Sequence, residues 1–122
     1  MMSNERAQWG EGLRTMHWNI NRGFSFKQFD IVNRMLMSDV QVTCVSEIGN
    51  YYGEEVNYDG YTIHARSYGS NHGVAMIVRD DLDYSYLGEL EIRNTCWIRV
   101  HCTRGRDTIV GCIYNPPNTK GK

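Results

Sequence analysis

LRTMHWNINRGFSFKQFDIVNRMLMSDVQVTCVSE, residues 13–47, is the stretch that decides the fold. Its opening run, 13–20, alternates imperfectly and predicts a strand. GFSFKQFDIVNRMLMSD predicts a helix, because Phe26, Phe29, Val32 and Leu36 recur at steps of three or four, with Ser25 placed as its N-cap. VQVTCVSE, 40–47, is β-branched and bounded by Asp39 and Gly49, which predicts a second strand. Strand, helix and strand with short connections form a crossover, most simply between neighbouring parallel strands.

The first strand closes on Asn19 rather than on an apolar residue. Asparagine suits a turn, since it tolerates unusual backbone angles and hydrogen-bonds its own loop. It also suits a site, since open sheets present functional side chains at the carboxyl ends of their strands. Local sequence leaves both readings open.

Working outward, residues 1–12 are polar and read as a loose leader without the apolar core of a signal peptide. Beyond residue 60 the runs YTIHARSY, HGVAMIVR, YSYLGELEI, TCWIRVHC and DTIVGCIY predict five further strands. Turn signals such as Asp59-Gly60, Asp80-Asp81 and Arg93-Asn94 separate them, and short spacers favour antiparallel hairpins. GVAMIV and IVGCI are continuously apolar, as expected of central strands covered on both faces. One helix is too little cover for so many strands, so further layers are expected outside this sequence.

Composition narrows the function classes. The chain has 122 residues, enough for one domain, with 41% apolar and 22% charged residues. A net charge of −1 excludes a global basic field, though not a local basic patch. No apolar run approaches the roughly 20 residues of a membrane span. The four cysteines, Cys44, Cys96, Cys102 and Cys112, have no C-x-x-C spacing, which argues against a zinc ribbon and for buried free thiols in a reducing compartment. The expected location is intracellular, nuclear or cytoplasmic.

Three polar groups end strands after apolar runs: Asn19, Glu47 and Tyr114. If the first two strands are parallel neighbours, Asn19 and Glu47 emerge at one edge. A carboxylate at a strand mouth is a hard oxygen ligand suited to Mg²⁺, which takes one or two carboxylates and keeps waters and phosphate oxygens. An amide beside it can orient the carboxylate. A tyrosine hydroxyl can donate to charge developing on phosphorus.

In the order HWNINRG, VTCVSE, IYNPPN, these segments resemble the endonuclease/exonuclease/phosphatase family over roughly residues 13–118. HGVAMIVRDDL and IYNPPN look most like its non-LTR retrotransposon endonucleases. Ile48-Gly49 after the glutamate departs from the apurinic branch, and His72 stands where retrotransposon members often have a second glycine. The resemblance implies a DNase-I-like, four-layer α/β sandwich of two sheets flanked by helices. Residues 13–122 would be its amino-terminal half, since a family domain is about twice as long. It implies a Mg²⁺-dependent phosphodiester hydrolase, with Mn²⁺ as a possible substitute. Glu47 would be the metal ligand, Asn19 the residue positioning ligand and phosphate, and Tyr114 the contact to the scissile phosphate. Asn118 is assigned no role. The implied partners are DNA and, in a parent polypeptide, a reverse transcriptase domain. The family's Asp-x-Asn and Ser-Asp-His motifs are absent from this sequence, so the chain is expected to be inactive or feebly active and prone to associate. The alternatives are a non-enzymatic binding remnant of the same fold, a phosphatase of the same family, and a small β-barrel ligand binder.

Overall fold

The computed structural model describes residues 12–49, 55–58, 60–66, 72–90, 92 and 94–115. The leader expected over 1–12 lies almost wholly outside them, as does Asn118. In chain order the elements are β1 (Thr15–Asn19), α1 (Phe24–Ser38), β2 (Val42–Ser46), β3 (Glu55–Tyr58), β4 (Tyr61–Arg66), β5 (Val74–Arg79), β6 (Tyr84–Tyr86), a 3₁₀ turn (Gly88–Leu90), β7 (Thr95–Val100) and β8 (Thr108–Ile113). The first five strands form one mixed sheet in the order β1-β2-β5-β4-β3, and the last three form a second sheet in the order β6-β7-β8. β1 and β2 are parallel neighbours, as the opening stretch predicts. Every other pairing is antiparallel. No helix among the described residues is long and apolar enough to cross a membrane.

The larger sheet is covered on both faces. Phe24, Ile31, Val32 and Met35 of α1 are buried with Val45, Ile63, Ala65, Ala75 and Ile77 on one side. Val42, Cys44, Val74, Met76 and Val78 on the other face pack against Leu82, Cys96, Ile98, Val100 and Cys112. Each fully buried aliphatic chain contributes about 1.5–3 kcal/mol by leaving water. The four cysteines are free thiols, three of them buried.

The helix forms as predicted but in a different rotational phase. Of the four residues that marked its period, only Val32 faces the core. Phe26 is 89% exposed, Phe29 63% and Leu36 66%. Two apolar stripes run along α1, and periodicity alone identifies the helix without saying which stripe is buried. Ser25 is not the cap. Gly23 holds that position at φ 78° with no side-chain cap, and its carbonyl accepts the Phe26 N–H. At the other end Asp39 adopts φ 55°, and the N–H groups of Asp39 and Val40 return to the carbonyls of Leu36 and Met35. Arg79 then fixes Asp39 at 2.7 Å.

Three strand expectations are corrected. β3 had no predicted counterpart; it pairs with β4 across a turn in which Gly60 has φ 93°. YSYLGELEI is not one strand. β6 spans only Tyr84–Tyr86; the Leu87 N–H still donates to the Trp97 carbonyl in the same register, and the chain then enters the 3₁₀ turn. IVGCI is not central among the described residues: β8 pairs there with β7 alone, and its Ile109 and Ile113 face outward, 44% and 61% exposed. Its Gly111 pairs with Trp97, and the indole lies so close that an added Cβ would meet the ring at 2.3 Å. The β7–β8 loop is closed by His101, which meets Asp107 at 3.2 Å and Ser85 at 2.7 Å.

Candidate active site

Parallel pairing of β1 with β2 sets Asn19 against Ser46, so Glu47 leaves the sheet one residue later at the same edge. The loop after β1 is bonded to that edge: the Ile20 N–H donates to the Ser46 carbonyl at 3.2 Å and the Arg22 N–H to the Glu47 carbonyl at 2.6 Å. The Asn19 Oδ1 accepts the Asn21 N–H at 3.2 Å. Asn21, Arg22 and Gly23 then follow in the left-handed region at φ 54°, 72° and 78°. With its oxygen engaged in this turn, the Asn19 side chain has only its amide N–H groups to offer, and it favours the ionised form of Glu47. Asn19 is thus both a turn residue and a member of the strand-end cluster.

Tyr114 reaches the same carboxylate from the second sheet. β8 crosses the end of β2, where the Cys112 thiol donates to the Val45 carbonyl at 3.8 Å. Two residues later the Tyr114 hydroxyl donates to Glu47 Oε2 at 2.7 Å. Tyr114 therefore meets the Glu47 carboxylate directly, at the same strand-end edge where Asn19 closes β1. The Tyr114 hydroxyl, the Asn19 amide and the nearby His72 hold the Glu47 carboxyl below its usual range, against a smaller opposing effect of burial. Burial and the Glu47 charge push the Tyr114 phenol up to about 12.

Glu47 itself stands at φ 57°. An L-residue there costs roughly 1–2 kcal/mol, and such strain concentrates at functional positions. Glycine would relieve it and lose the carboxylate.

Three contributors had no functional signal in the sequence. The His72 ring lies 6.1 Å from that of Tyr114, centroid to centroid. Gly73, at φ 103°, accepts the Glu47 N–H at 2.9 Å. Asn94, legible only as half of a turn signal, accepts both the Tyr114 N–H and the Gly73 N–H. Their roles depend on contacts between distant segments, which spacing does not encode.

A cleft of about 700 Å³ opens beside Asn19 between β1 and α1, lined by Trp18, Lys27, Asp30, Arg34 and Met37 among others. The Arg34 guanidinium sits over the Trp18 ring at 5.1 Å. The Lys27 ammonium donates to the Ile20 carbonyl at the rim. Among the described residues no group of three His, Cys, Asp or Glu side chains could hold a metal.

No protein-family model matches the chain, and no curated protein matches it. Among solved structures the chain is similar to the endonuclease domain of TRAS1, a telomere-specific non-LTR retrotransposon. The TM-score is 0.66 at 16% identity, over 86% of this chain and 45% of that one. At that identity the likeness shows the fold: two sheets and a helix arranged as in a DNase-I-like endonuclease domain. The chain spans less than half the length of the domain it matches.

Proposed function

We propose that this chain carries the amino-terminal half of a Mg²⁺-dependent, DNA-nicking phosphodiesterase site of the retrotransposon type. The observation that carries the reading is the 2.7 Å hydroxyl-to-carboxylate bond between Tyr114 and Glu47 across two sheets, at the edge where Asn19 ends β1.

The donor set fits a hard, partly hydrated cation. Mg²⁺ sites use one or two carboxylates with waters and substrate phosphates, rather than a full protein cage. Glu47 is the carboxylate, favoured in its ionised form, and the Tyr114 hydroxyl engages only its Oε2. Mn²⁺ fits the same donors. Bound there, the metal would supply Lewis-acid stabilisation of an oxygen leaving phosphorus. Asn19 fixes the carboxylate and presents an amide to a phosphate oxygen. Tyr114 stays protonated at neutral pH, and its one O–H, held by Glu47 in the absence of substrate, would swing from that carboxylate to a non-bridging oxygen as charge grows there. The cleft beside Asn19, with Lys27, Arg34 and the Trp18 ring, suits a polyanion that also carries aromatic bases.

In this reading the partner is DNA, and a reverse transcriptase domain belongs to the parent polypeptide. No Asp-x-Asn or Ser-Asp-His run occurs in the 122 residues, so the groups that activate water must come from elsewhere and this chain alone turns over feebly or not at all. The test is Mn²⁺ binding followed by electron paramagnetic resonance, with Mg²⁺ competition. Glu47→Gln should weaken Mn²⁺ binding at least tenfold. Equal binding by wild type and E47Q would overturn the assignment.

A further inference from the structure

We infer that Asn94 is the positioning residue that sets the separation of Glu47 and Tyr114. It is buried, 7% exposed, and stands at φ 61° just before β7. Its backbone carbonyl accepts the Tyr114 N–H at 3.0 Å. Its side-chain Oδ1 accepts the Gly73 N–H at 3.1 Å. The Gly73 carbonyl in turn accepts the Glu47 N–H at 2.9 Å. One residue therefore holds, by two separate bonds, the segments that deliver the hydroxyl and the carboxylate.

The side chain is needed for this, and the turn is not. A left-handed turn at position 94 is served as well by glycine, which adopts positive φ without penalty. Glycine also keeps the carbonyl for Tyr114. What it lacks is the acceptor for the Gly73 N–H, a buried donor that is costly to leave unpaired. Without that bond the 72–73 segment loses this tie to the second sheet, and Glu47, bonded to Gly73, shifts relative to Tyr114 although its carbonyl stays held by Arg22. Asparagine supplies both requirements: it tolerates φ 61° and carries an oxygen at the right reach.

This deepens the function proposed above and rests on it for the meaning of the pair. The positioning is measurable without metal or substrate. The experiment labels tyrosine at Cζ and reads the ¹³C resonance of Tyr114 at pH 7 in metal-free buffer. Tyr114→Phe identifies the signal, and Glu47→Ala gives the position of an unpaired hydroxyl. Asn94→Gly should move the Tyr114 signal at least halfway to the E47A position. Asn94→Asp, which keeps the acceptor, should leave it within a tenth of that span from wild type. A Tyr114 signal unmoved in N94G overturns the inference, leaving Asn94 a turn residue only, and N94D behaving like N94G overturns it equally. Should N94G not fold, the wild type decides: a through-hydrogen-bond coupling between the Gly73 nitrogen and Asn94 Cγ supports the inference, and its absence overturns it. A wild type that binds no Mn²⁺ would sink the nuclease reading while leaving these shifts readable.

Discussion

The Tyr114 hydroxyl donates to the Glu47 carboxylate at 2.7 Å across a sequence separation of 67 residues, one group arriving from each sheet. This bond ties the strand-end edges of the two sheets and shifts both of its partners, Glu47 down and Tyr114 up.

Replacing Tyr114 by Phe should cost about 1 kcal/mol, below the roughly 1.5–3 kcal/mol of a hydrogen bond to a charged group because Glu47 is partly screened by solvent. The pH profile should change at both limbs. Glu47 has a depressed pKa in the folded chain, so its contribution is full above the ordinary carboxylate range and is lost as pH falls through the folded value. Tyr114 is raised from 10 to about 12, so its contribution is full below pH 10 and is lost as pH climbs towards 12. Urea unfolding from acid to alkali should show Tyr114→Phe flattening the alkaline limb and shrinking the acid one. Profiles parallel to wild type would mean the bond is absent in solution.

The phase of α1 can be tested by contrast. Met35 is fully buried and Phe29 is 63% exposed. Met35→Ala should cost about 2–5 kcal/mol. Phe29→Lys should change stability by no more than about 0.5 kcal/mol. With Phe26→Glu added, self-association seen by light scattering should fall, because the exposed apolar stripe is broken. Phe29→Lys destabilising as much as Met35→Ala would mean that the other stripe faces the core.

Gly111 and Trp97 form a matched pair. Gly111→Ala places a methyl 2.3 Å from the indole, and the ring has to move. Overpacking of this kind costs about 1–3 kcal/mol. Trp97→Leu in the same chain should recover part of the loss. Additive effects in urea melts would show that the ring is not the obstacle.

The loop after β1 stores strain at Arg22, which sits at φ 72° with its N–H bonded to the Glu47 carbonyl. Arg22→Gly keeps that bond and removes the Cβ penalty, and the flexibility of glycine in the unfolded chain offsets part of the gain. A net rise of about 0.5 kcal/mol is expected in the unfolding free energy. A loss of stability would show that the Arg22 side chain makes a contact outweighing its backbone strain.

The sequence alone determined the crossover β1–α1–β2, because β-branched runs and a 3.6-residue period are local properties. It also pointed to Asn19, Glu47 and Tyr114, because a polar residue after an apolar run stands out without any neighbour. Tertiary structure decided everything that depends on which surfaces meet. Both stripes of α1 are apolar, so only docking on the sheet buries Phe24, Ile31, Val32 and Met35 and leaves Phe26 and Phe29 in water. IVGCI reads like a central strand, and only the partition into two sheets leaves β8 with β7 as its one neighbour among the described residues. Asn94 looked like any turn residue. Its amide matters because residues 73, 94 and 114 meet at one point, and hydrogen bonds between distant segments leave no periodic trace in a chain.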